Sequence, residues 1–78
     1  MKKKRLKIEK KIKTILKKFF KQNNKFYSME NTPNWDSLNH LKLIDVIQQE
    51  FKINISNLDI AKMTDQKKII ILLLKKIK

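Results

Sequence analysis

The chain has 78 residues, with 20 Lys and Arg against 7 Asp and Glu, a single His and Pro, and neither Gly nor Cys. That length suits one domain with a modest core, excludes disulfides and cysteine-ligated zinc, and leaves little room for a deep catalytic pocket. The hydrophobic share of 41% is too high for a chain that stays disordered.

The formal charge of +13 sits at the two ends. Residues 1–25 carry 12 basic groups and one acid, Glu9, whereas residues 26–65 carry three lysines against six acids. Residues 66–78 add five lysines. The middle of the chain is therefore no obvious partner for a polyanion. Absence of Gly, with abundant Lys, Ile and Leu, favours helices over tight hairpins.

In the first segment Leu6, Ile8, Ile12, Ile15, Leu16, Phe19 and Phe20 recur at spacings of three and four, with Lys4, Lys7, Lys11 and Lys18 opposite. This pattern predicts an amphipathic helix over about 3–21. Asn23 and Asn24 are expected to close it, Asn being the usual substitute for a terminal Gly. Residues 22–36 read as a long loop, because Pro33 pushes Thr32 out of helical geometry. Phe26, Met29 and Trp35 are its expected hydrophobic pins.

A second helix is expected at about 37–51, with Leu38, Leu41, Ile44, Ile47 and Phe51 on its apolar period and Asp36 or Ser37 as the N-cap. Residues 52–55 alternate and read as an extended link. Ser56 with Asp59 fits a capping box opening a short third helix at about 57–62. Thr64 and Asp65 then cap a fourth helix over about 65–77. Periodicity alone would also allow a buried strand in the apolar run 69–74. The expected fold is thus all-α, a small four-helix bundle forming one domain over 1–78, with its longest loop between helices 1 and 2.

Ser37 is the residue with chemical promise. A hydroxyl in the first turn of a helix lies beside unpaired backbone N–H groups and the positive end of the helix dipole. Both favour a phosphate attached to that oxygen. Taken by itself, though, the tripeptide Asp36-Ser37-Leu38 fits an ordinary N-cap better than a functional site.

Its surroundings shift the balance. From about residue 26 to 77 the order of elements resembles the acyl carrier protein family, and residues 34–55 (NWDSLNHLKLIDVIQQEFKINI) carry most of the likeness. The resemblance implies a 4′-phosphopantetheine arm on Ser37, transferred from coenzyme A by a phosphopantetheinyl transferase. Leu38 would be the apolar neighbour that partner enzymes contact. Phe51 and Ile55 match the aromatic end of helix 2 and the apolar residue after it. The arm's thiol would hold acyl or aminoacyl cargo as a thioester, which accounts for such chemistry in a chain without Cys. On this reading the chain is a carrier for fatty-acid synthesis or a specialised pathway, not an enzyme. Its partners would be the transferase and the acyl-loading and acyl-processing enzymes.

Helix 2 departs from the family pattern, which is usually acidic there. Asp36, Asp45 and Glu50 are its acids, and Asn39, Lys42, Gln48 and Gln49 dilute them. Asp36, Leu38, Lys42 and Asp45 are the expected partner-facing residues, with docking that relies more on apolar contact than on steering. His40, one turn after Ser37, is expected at the surface or partly packed rather than as a general base. Trp35 reads as a packing anchor.

The alternative from another class is a small basic protein that binds nucleic acid or a membrane surface through helix 1. A single Arg and no aromatic residue in the basic face argue against nucleic acid. No apolar run approaches the length of a membrane span, and lysines interrupt any signal-like start after residues 1–5, so the expected location is the cytoplasm. A monomer is the expectation. A homodimer is the alternative, because the run 69–74 exceeds the needs of one buried face.

Overall fold

A computed structural model of the chain describes residues 2–77. Met1 and Lys78, part of the expected 1–78 domain, lie outside the described residues. The protein is all-α: α1 (Lys2–Phe20), α2 (Ser37–Phe51), α3 (Asn57–Lys62) and α4 (Gln66–Lys76). The run 69–74 is helical, and the extended pairing among the described residues is one isolated bridge between Ser28 and Asp65.

α1 buries Ile8, Ile12, Leu16 and Phe20, a strict four-residue repeat that places one side chain per turn on the core face. Ile15 and Phe19 flank this stripe half-buried, while Leu6, expected on it, is exposed. α1 packs on α4 and α2. Both partners run antiparallel to it: Lys4 Nζ donates to the Ile77 carbonyl, and Phe20 stacks on Trp35 just ahead of α2. α4 contributes Ile69, Ile70 and Leu73 to the core, and Leu72 and Leu74 pack against it half-buried. Only Ile71 of that apolar run is exposed, so the surplus credited to it above is largely absorbed within the bundle.

Local chemistry sets the helix starts. Asp36 caps α2 by accepting the Asn39 N–H (2.9 Å), Ser56 caps α3 through the Asp59 N–H (3.2 Å), and Asp65, not Thr64, caps α4 through the Lys68 N–H (2.8 Å). The capping box at α3 is only half formed: the Asp59 carboxylate turns to Lys76 Nζ, 3.4 Å away, tying α3 to α4. At the C-termini the expectation of Asn fails. Lys21 and Lys52, both at φ 55°, take the left-handed conformation that ends α1 and α2. After Lys52, the Gln48 carbonyl accepts the Ile53 N–H (3.1 Å) and its side-chain oxygen the Ile55 N–H (2.8 Å), which turns Ile55 into the core.

The loop of residues 21–36 is sewn to the α3–α4 junction. Met29 N–H donates to the Thr64 carbonyl (3.0 Å), and Gln66 N–H donates to the Tyr27 carbonyl (2.8 Å). Gln66 Oε1 accepts the Tyr27 N–H in return (3.1 Å). Tyr27 is the loop's aromatic pin, fully buried, and Phe26, expected in that role, is 44% exposed. The reason is polar: Tyr27 Oη donates to the Gln22 carbonyl (2.5 Å) and accepts the Asn24 N–H (3.2 Å), closing the turn after α1. Tyr27→Phe is therefore expected to cost about 1–3 kcal/mol by leaving those two backbone groups unpaired. Urea unfolding followed by circular dichroism checks this, and a change below about 0.5 kcal/mol would show that the hydroxyl is dispensable.

Candidate functional site

The segment 34–40 is built from the inside outward. Trp35 is buried, stacked on Phe20 with ring centroids 5.2 Å apart. Its Nε1–H donates to His40 Nδ1 at 2.9 Å. An accepting Nδ1 puts the imidazole proton on Nε2, which donates to the Ile60 carbonyl at 2.7 Å. One hydrogen-bonded chain thus joins the loop, α2 and α3. His40 is 7% exposed with both nitrogens engaged, more deeply packed than its sequence position suggested. Both ring nitrogens are thus taken up by protein partners, which gives His40 a structural role in holding the loop, α2 and α3 together.

On the outside of this anchor lies Ser37, exposed, the first residue of α2. The Asp36 carboxylate takes the Asn39 N–H, and the Asp36 carbonyl takes the His40 N–H (2.8 Å). Asn39 Nδ2 donates back to the Asn34 carbonyl (2.8 Å) and closes the turn. Of the first-turn donors, Asn39 N–H is taken by the cap, and those of Ser37 and Leu38, both exposed residues, have no partner within the helix. An anion on Ser37 Oγ would meet these two amides and the positive end of a 15-residue helix. Asp36, one residue away, opposes it in charge, but that carboxylate is held toward Asn39.

A phosphodiester-linked arm fits this position. Ser37 is exposed, and the turn beneath it is tied to the core through Trp35 and His40.

The surroundings of Ser37 differ from the expected helix period. Leu38 and Leu41, placed above on the apolar period of α2, are 64% and 58% exposed. The inward face is His40, Leu43, Ile44 and Ile47, with Phe51 half-buried at its end. Leu38, Leu41, Lys42 and Asp45, related by steps of three and four, share the outward face. Asp36, Leu38, Lys42 and Asp45 are all exposed, and Asp45 accepts from Gln49 Nε2 at 3.0 Å. Leu41 was missed as a surface residue because α2 is apolar on nearly two sides.

Sequence reasoning also missed a groove of about 590 Å³ between α1 and α2, floored by Ile15, Phe19 and Val46 and rimmed by Lys10, Lys11 and Lys18. At its edge Lys11 sits 5.7 Å from the centre of the Phe51 ring and 3.6 Å from the Glu50 carboxylate. Among the described residues no cluster of His, Asp and Glu is arranged to hold a metal ion, and no helix is long and apolar enough to cross a membrane. No protein-family model matches the chain, and no curated protein matches it either.

Proposed function

We propose that the chain is an acyl carrier, acting in the cytoplasm, that displays cargo on an arm attached to Ser37. The observation that carries this reading is the placement of Ser37: an exposed hydroxyl on the first residue of α2, backed by the Trp35–His40–Ile60 chain. The resemblance of residues 34–55 to acyl carrier proteins supports it independently.

In this role Ser37 Oγ forms a bond to phosphorus as the link between the arm and the nucleotide part of coenzyme A breaks. Its proton passes to the phosphopantetheinyl transferase. The amides of Ser37 and Leu38 would favour the resulting anion. When bound, the arm supplies the thiol on which acyl or aminoacyl groups ride between loading and processing enzymes. The chain itself catalyses no step. Leu38 and Leu41 offer those enzymes an apolar contact, and Asp36, Asp45 and Lys42 set its polar surround with mixed charge. Docking of this kind draws on burial more than on long-range steering.

Incubation with a broad-specificity phosphopantetheinyl transferase and coenzyme A tests the proposal. Intact-mass analysis is expected to find one added arm, and peptide mapping to place it on Ser37. An unchanged mass, under conditions that convert a control carrier fully, overturns the reading.

A further inference from the structure

The outer face of α1 has no role in the proposed carrier function. Glu9, its one acid, pairs with Arg5 at 3.2 Å, and Lys11 reaches Glu50 of α2. Among the described residues the remaining exposed cations Lys7, Lys10, Lys13, Lys17 and Lys18 have no carboxylate partner. The groove between α1 and α2 adjoins this face: Ile15, Phe19 and Val46 give it an apolar lining, Lys10 and Lys18 add positive charge, and its one acid, Glu50, is paired with Lys11.

We propose that α1 docks on anionic phospholipid bilayers, its lysines against the headgroups and one acyl chain seated on the apolar floor of the groove. Charge complementarity selects an anionic partner, and the floor selects among anions. Hydrocarbon gains from covering Ile15, Phe19 and Val46, whereas a nucleic-acid backbone gains nothing there. Phe19 is half-buried, packed edge-on to Phe20 with centroids 4.9 Å apart, and is no free platform for a base. The cations are 19 Lys to one Arg, so the planar fork that reads phosphates and guanines bidentately is nearly absent. Clusters of four to eight lysines on an amphipathic helix suit a diffuse anionic lipid surface.

Because α1 and α2 are antiparallel, Lys17 and Lys18 lie at the same end of the bundle as Ser37. A docked chain would therefore hold its attachment point close to the lipid surface. The docking itself is independent of Ser37 and of the carrier reading.

The test is flotation of the full chain with vesicles of phosphatidylcholine alone or with one-third phosphatidylglycerol. The chain, and equally Ser37→Ala, is expected to float only with the anionic vesicles. Release is expected in about 1 M salt, where the screening length falls to roughly 3 Å. Replacing Lys7, Lys10, Lys13, Lys17 and Lys18 by Gln should weaken retention by roughly three-thousandfold, about fivefold per lysine. Val46→Asn, which leaves charge unchanged, should weaken it several-fold. Circular dichroism verifies that each variant is folded.

Failure to float, equal retention on neutral vesicles, or full retention of both variants overturns the proposal. So does displacement from anionic vesicles by random duplex DNA at equal phosphate concentration, which would assign the face to nucleic acid. None of these outcomes bears on the mass test of Ser37, so the two proposals fail separately.

Discussion

Trp35→Ala is expected to lower the unfolding free energy by about 3–5 kcal/mol, the range for emptying a buried aromatic site. A domain of 78 residues is stable by only about 4–12 kcal/mol, so this one change should leave it close to unfolding. Two losses combine at that residue. The indole ring fills the space between Phe20 and His40, and its N–H is the donor that satisfies His40 Nδ1. Trp35→Phe separates them. It retains a ring against Phe20 but strands the buried Nδ1, at an expected cost of about 1–3 kcal/mol. Urea unfolding followed by far-ultraviolet circular dichroism measures both. Losses below about 1 kcal/mol for the alanine variant would mean that the ring is not the anchor described above. The effect should extend to function: with the ring gone, the stacking on Phe20 of α1 is lost, and modification at Ser37 should slow as the turn loosens.

Ser37→Ala is expected to do the opposite, abolishing attachment of the arm while leaving stability within about 0.5 kcal/mol, as for an exposed residue without structural partners. Asp36→Ala serves as the contrast. It removes the α2 cap and should cost about 0.5–2 kcal/mol, while the hydroxyl remains available. Leu38→Gln tests the docking surface. Burying a leucine at an interface contributes about 1.5–3 kcal/mol, so kcat/KM of the transferase should fall between about tenfold and a hundredfold with the fold unchanged. Full modification of Ser37→Ala, at any other hydroxyl, would remove Ser37 from the mechanism. An unaltered kcat/KM for Leu38→Gln would move the docking surface away from the outward leucines.

The helix starts were readable because caps are local. Asp36, Ser56 and Asp65 each offer a side-chain oxygen to an amide three residues on, and that geometry needs no distant partner. α2 and α3 accordingly begin and end where the spacing placed them, and α1 and α4 shift by one residue at each end. The residues that close the helices were less readable than the places where they close. Lysines, not the neighbouring asparagines, take the left-handed positions at 21 and 52. Residues further along secure those stops, Tyr27 through Gln22 and Asn24, and Ile53 and Ile55 through Gln48.

Composition, caps and apolar spacing were sufficient to predict an all-α chain with these four helices and to place Ser37 at the head of the second, while the resemblance to acyl carrier proteins made that residue a candidate attachment point. Which apolar residues face inward was decided only when the helices packed. Leu38, Leu41, Leu43, Ile44, Val46 and Ile47 allow α2 two apolar faces, and hydrophobicity is blind to direction. The polar residues choose between them: turning the Leu38–Leu41 face inward would bury Lys42 and Asp45, whereas His40, once inward, finds partners for both ring nitrogens in Trp35 and Ile60. That rotation turns Leu38 and Leu41 out beside Ser37. Tyr27 displaces Phe26 for the same reason, since its hydroxyl finds backbone partners in the turn after α1. The lysine-rimmed groove, too, exists only once α1 and α2 pack together, because its floor is drawn from residues some 30 positions apart in the chain.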